Sequence, residues 1–139
     1  MGREVQIAVD CDDPHALNRF WAELLAYEPE DHHEQVAGLL AAGHVGEDET
    51  ITIDGRLAFR TAAASSDPAG AGPRLLFQHV PEAKRVKNRL HLDVRAGDDR
   101  DVVVARCVEL GATKLWDGRQ GPHTWVTLAD PEGNEFCVT

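Results

Sequence analysis

The chain has 139 residues, 42% hydrophobic and 27% charged, with 14 Lys and Arg against 24 Asp and Glu. That size and balance describe one soluble globular domain over residues 1–139, able to bury roughly two-thirds of its unfolded surface. The formal net charge of −10 argues against nucleic acid and anionic membrane as partners, because both are held by clustered cations.

No apolar run approaches the ~20 residues of a membrane span. The stretch MGREVQIAVDCDD lacks the basic and apolar regions of a signal peptide, and Met1-Gly2 lacks the downstream Ser or Thr of a myristoylation signal. A cytoplasmic location is expected. Cys11, Cys107 and Cys137 are widely spaced and odd in number, the pattern of reduced thiols. CxxC, HExxH, GxSxG and phosphate-loop signatures are all missing.

In chain order, EVQIAVD alternates Val5, Ile7 and Val9 against Gln6, Ala8 and Asp10, which predicts a strand with one apolar face. Asp13-Pro14 opens a helix, with Asp13 as N-cap and Pro14 at the first helical position. Leu17, Phe20, Trp21, Leu24 and Leu25 then recur at helical spacing, so the helix spans about 14–26. A second helix is expected in HHEQVAGLLAAGHV, on a stripe of Val36, Leu39 and Leu40, with Gly43 at its end. ETITIDGRLAFRTAAA reads as two strands around the Asp54-Gly55 turn signal. SSDPAGAGP is a loop and RLLFQHV a strand.

PEAKRVK is a Pro-led basic connector. After it, RLHLDVR alternates Leu90, Leu92 and Val94 against Arg89, His91, Asp93 and Arg95, again a strand. Asp98 or Asp99 caps a helix ending at Gly111. TKLWDG and HTWVTLA are expected as strands flanking the turn residues DGRQGP, and NEFCVT as the last strand. DPEG before it is a turn rather than a catalytic carboxylate pair.

The halves repeat. An offset of 85 carries Gln6 onto His91, Ile7 onto Leu92, Val9 onto Val94, Asp13 onto Asp98, Leu25 onto Leu110 and Ala26 onto Gly111. Strand, cap and helix end stay in register without a gap. The predicted organisation is module one over about 1–80, a linker over 81–88 and module two over about 89–139.

The apolar strand faces suit burial under the helices. The opposite faces carry Gln6, Gln78, Arg89, His91, Asp93, Arg95, Trp125, Glu135 and Cys137. Such a face can simply meet water, but Trp and Cys among charges point to a concave, ligand-binding surface. His91 can line that surface or serve the structure. Asp93 and Arg95 read as an ordinary ion pair. Cys137 is a buried thiol or, with a lowered pKa, a nucleophile. Trp125 is a wall of the cavity or core, with Trp116 near the rim. His32-His33 reads as exposed.

Two strand–helix–strands modules with NRLHLDV at the second start and DPEGNEFCV at the end resemble the vicinal oxygen chelate superfamily, which includes glyoxalase I, bleomycin-resistance proteins and extradiol dioxygenases. FQHVPEAKRVKNRLHLDV and LADPEGNEFCV are similar to its glyoxalase-like branch. The resemblance implies an α+β fold of two tandem βαβββ modules forming a cup-shaped mixed sheet with helices outside, and a homodimer. It implies four metal-ligand positions, on the first and last strand of each module. Here these are Gln6 and His91, then Gln78 within about two residues, then Cys137 where the superfamily places Glu.

Without a carboxylate, that set suits no tightly held hard ion. The expectation is a glyoxalase-like protein binding a small organic molecule through Gln6, Gln78, Arg89, His91, Trp125 and Cys137. No metal ligands, cofactor or catalytic residues are assigned. The alternative is a metal-dependent lyase, isomerase or dioxygenase holding a divalent ion.

Overall fold

The computed structural model describes residues 1–139 and divides into two compact units, Met1–Pro81 and Glu82–Thr139. In the first, β1 (Ile7–Cys11) leads to α1 (Pro14–Leu25), β2 (Glu28–Pro29) and α2 (His33–Ala41). The hairpin β3 (Thr50–Ile53) and β4 (Arg56–Phe59) follows, then β5 (Ala62–Ser66) and β6 (Leu75–His79). The main sheet has the order β1-β6-β5-β2, with β3 and β4 forming a separate two-stranded sheet.

α1 starts where the sequence places it. Asp13 accepts a hydrogen bond from the Ala16 N–H at 3.0 Å, and Pro14 occupies the first turn. The helix stops at Ala26, a non-glycine residue with φ of 54° whose N–H bonds back to the Ala22 carbonyl. Its stripe of Leu17, Phe20 and Trp21 packs with Leu75 and Phe77, which point from β6 to the same side. Asn18 is buried within this layer. It donates to the Ala64 carbonyl at 3.2 Å and accepts from the Ser65 hydroxyl, so a polar group in the core leaves nothing unpaired.

α2 buries fully only Val36; Leu39 and Leu40 are half-buried. Gly43 follows the helix with φ of 75°, and the His44 N–H bonds the Leu39 carbonyl at 2.9 Å, a Schellman-type ending. Asp54 and Gly55 have φ of 50° and 76°, the two left-handed residues of a type I′ turn, and Ile53 pairs with Arg56 across it. The stretch expected as two strands is three, because β5 leaves the hairpin to join the main sheet and takes in Ser65 and Ser66.

In the second unit, β7 (Asp93–Val94) precedes α3 (Arg100–Leu110), then β8 (Thr113–Gln120), β9 (His123–Ala129) and β10 (Glu135–Val138). Sheet order is β7-β10-β9-β8. Gly111, φ 117°, ends α3, at the repeat position of the left-handed Ala26. Phe136, Val138, Val126 and Leu128 make the buried face.

Two expectations need correction here. The strand predicted over 89–95 is regular only at Asp93–Val94, and Leu90 is exposed. The preceding segment is turned aside: the Asn88 N–H and the Lys84 ammonium both bond the Glu135 carboxylate, at 3.0 and 3.1 Å. The turn predicted over 117–122 narrows to Gly121-Pro122, with Gln120 paired to His123. Gly121 at φ 57° followed by proline fits a II′ turn, whose twist lets the flanking strands pair to their ends.

Both units therefore share one plan. The first strand lies parallel to the last, β1 to β6 and β7 to β10, and the middle strands extend the sheet antiparallel. The two-residue β2, which has no sequence signal, is the counterpart of β8. α2 and the β3–β4 hairpin form one insertion between β2 and β5.

Candidate functional site

The shared plan assigns positions by register. In module two Cys137 pairs with Asp93, and in module one Leu76 pairs with Ala8. The offset of 85 makes Asp93 the equivalent of Ala8, so the equivalent of Cys137 is Leu76, two residues before Gln78. Gln78 is exposed on β6 opposite Asp10. Gln6 precedes β1, and its amide oxygen accepts from Arg74 Nη1 at 2.7 Å. Arg74 also grips Glu30 through two further bonds of 2.7 and 2.8 Å. Its hydrogen bond, with help from Ser66 and His32, holds the Glu30 carboxyl at about 2 against the opposing effect of burial. Gln6 and Gln78 thus lie in module one, where Gln6, with Arg74 and Ser66, lines a separate open cavity of about 630 Å³.

Module two gathers its chemistry in one place. A cavity of about 340 Å³ opens on the face opposite Phe136 and Val138, lined by His91, Asp93, Trp116, Trp125, Glu135 and Cys137, with Lys87, Thr127 and Thr139. Alternation explains the grouping: Cys137 pairs with Thr127, Trp116 with Thr127 and Gly118 with Trp125, all on one face. Leu115 is the extra residue of a bulge in β8, which brings Trp116 onto that face.

Cys137 forms the floor. It is 8% exposed, and its Sγ lies 3.4 Å from the Thr127 hydroxyl. His91 Nε2 is 3.2 Å from Asp93 Oδ1, so Asp93 turns to His91 rather than to Arg95. One donor atom from each of His91, Asp93 and Cys137 lies within 4.8 Å of the others. Glu135 is committed elsewhere. Burial raises its pKa, but the Asn88 N–H, its own N–H and Lys84 outweigh that and keep it ionised below the usual range.

Trp125 owes its place to Gly118. A Cβ at Gly118 would stand 2.1 Å from the indole, so the ring lies across the neighbouring strand where a side chain would be. Of the six residues expected at the site, His91, Trp125 and Cys137 line this cavity. Arg89 is exposed and outside its lining; Lys87 supplies the cation there. Asp93 is expected on this face as the partner of Arg95, and Thr127 is not singled out by the sequence; both line the cavity. Their signal was strand parity with His91 and Cys137.

This order of four strands in each unit, with a helix after the first, defines the α+β fold of the glyoxalase/bleomycin resistance/dioxygenase superfamily. The glyoxalase-like domain profile matches residues 6–139, and the chain belongs to that family. Solved structures agree on the fold. One is a mutant of the fosfomycin resistance protein FosX from Listeria monocytogenes, complexed with Mn(II) and 1S,2S-dihydroxypropylphosphonic acid. It is 11% identical, with a TM-score of 0.66 over 99% of this chain and 91% of that one. A glyoxalase/bleomycin resistance protein/dioxygenase family enzyme from Burkholderia phytofirmans PsJN gives 14% identity and a TM-score of 0.61, over 96% and 94%. A domain of the same description from Frankia sp. EAN1pec gives 13% and 0.60, over 99% and 96%. No curated protein matches the sequence.

A hard ion such as Mn(II) calls for carboxylate, imidazole and water donors. The ligand positions implied by the resemblance do not fit it. Gln6 has its amide oxygen on a guanidinium, Leu76 stands at the register equivalent of Cys137, and Cys137 offers a thiol for a carboxylate.

Proposed function

We propose that the chain is a glyoxalase-like small-molecule-binding protein that uses the module-two cavity and works without a hard-ion centre. The observation that carries this reading is the cavity itself: two indoles as walls, with Lys87, His91, Asp93 and a thiol converging beneath them. Its volume of about 340 Å³ is at the small end of ligand sites. Trp125 and Trp116 offer flat surfaces to a planar ring. Lys87 supplies charge for an anionic substituent, and the His91–Asp93 pair both donates and accepts.

The reading includes a cytoplasmic homodimer, as the reduced, buried state of all three cysteines and the superfamily resemblance suggest. Light scattering should then give twice 15.2 kDa. The principal test is a thermal-shift screen of planar aromatic acids and amines with a chelator present. A ligand at about 100 times its Kd adds about 2.7 kcal/mol to stability. That gain should vanish in Trp125→Ala, and a panel with no shift refutes the reading. A metal-dependent lyase, isomerase or dioxygenase remains the second reading, favoured by the His91, Asp93 and Cys137 cluster. Stoichiometric Ni, Fe or Mn in protein purified without chelator, lost in His91→Ala, would establish it.

A further inference from the structure

The donor set that suits a hard ion poorly suits a thiophilic one. We propose that His91, Asp93 and Cys137 form a three-donor site for a divalent ion of the zinc class at the floor of the module-two cavity; the site rests on the cavity reading above. It differs from a centre shared between the first and last strands of two modules, because every donor comes from module two. The carboxylate comes from β7, directly across the parallel register from Cys137. The position lost at the end of β10 is thereby replaced from the adjacent strand.

Zinc bonds of about 2.0–2.3 Å at tetrahedral angles separate donor atoms by about 3.3–3.8 Å. The His91–Asp93 edge is already 3.2 Å, and no edge exceeds 4.8 Å. Closing the triangle needs movements of about 1 Å, and the His91 and Asp93 side chains, 43% and 53% exposed, have room to make them. One carboxylate and one thiolate neutralise a divalent charge, with imidazole as the neutral third donor. The Thr127 hydroxyl, 3.4 Å from Sγ, can donate to the thiolate. Three protein donors leave a fourth position open.

The test is Co²⁺ titration of chelator-stripped full-length protein, read by absorbance. One Co²⁺ per chain should give tetrahedral visible bands and a near-ultraviolet thiolate-to-cobalt band, displaced by Zn²⁺ but not by excess Mn²⁺. Cys137→Ser should abolish the thiolate band. Asp93→Asn, at an exposed side chain that leaves the fold intact, should weaken Co²⁺ at least about tenfold. It decides the matter if Cys137→Ser proves unfolded by circular dichroism. A wild-type titration without a thiolate band, or unchanged affinity in Asp93→Asn, overturns the proposal. Aromatic binding without cobalt binding would refute this site alone. Cobalt binding without aromatic binding would refute only the small-molecule reading.

Discussion

Gly118→Ala puts the geometry of the cavity to its most direct test. The added Cβ would lie 2.1, 2.2 and 2.6 Å from Cε2, Nε1 and Cζ2 of Trp125. Carbon atoms pack at about 3.5 Å, so the indole must retreat by about 1.4 Å. Gly118 has no left-handed φ, so the backbone itself accepts alanine. The whole cost is the clash, and crowding of this kind costs about 1–3 kcal/mol. At about 4 °C per kcal/mol for a chain of this size, the melting temperature should fall by roughly 4–12 °C.

The assay is a double-mutant cycle by thermal melting, with tryptophan fluorescence as a second probe. In a Trp125→Ala background the clash is gone. There, Gly118→Ala should be neutral or stabilising by up to about 1 kcal/mol, since glycine weakens a strand. An interaction energy of about 1–4 kcal/mol between the two sites is therefore expected. Equal destabilisation in both backgrounds, or none in either, would refute the claim that the indole occupies the space of the missing side chain.

Glu30 titrates at about 2, below its ordinary 4.5. A carboxyl depressed in the folded state adds stability that is complete above 4.5 and is lost as pH falls toward 2. Solvent around Arg74 limits this to about 1–2 kcal/mol, and Glu30→Gln should flatten the acid side of the stability profile. Asp130 is 4% exposed and accepts from the Glu132 and Asn134 N–H groups and the Asn134 amide. Asp130→Ala should cost about 1–2 kcal/mol in urea unfolding, because it removes the acceptor of three part-buried donors at the entry to β10. Asn18→Leu should cost a similar amount by stranding the Ser65 hydroxyl. Cys107 is fully buried with its pKa pushed up to about 11 by desolvation, so mass spectrometry should find it unmodified after alkylation of native protein at pH 8.

The elements that could be read from the sequence are those whose signal is local. The Asp13-Pro14 cap, the Asp54-Gly55 turn and the Gly111 stop each follow from conformations few residues accept. The parity of Phe136 and Cys137 fixed the two faces of the last strand. What escaped depended on distant partners. Glu28–Pro29 is a strand only because Ser65 and Ser66 lie beside it. Arg89 to His91 alternate like a strand but lie outside the ladder, beyond the segment that the Glu135 carboxylate holds at Lys84 and Asn88. Of the residues lining the module-two cavity, His91, Trp125 and Cys137 could be read from the sequence as candidates. Asp93 and Thr127 become its members through register, which one strand alone does not state, and Gly118 matters through the absence of a side chain.

The parallel pairing of first and last strands has a consequence for assembly. His91 and Asp93 enter the chain near the beginning of module two and Cys137 near its end, so their meeting is among the last contacts the module can close. A ligand or ion gripping all three would recognise only finished modules and would oppose the peeling of β10 from β7. Occupancy of the cavity would then be felt as resistance to local opening along that seam, visible in amide exchange at Cys137 and Thr139, whose N–H groups bond Leu92 and Val94.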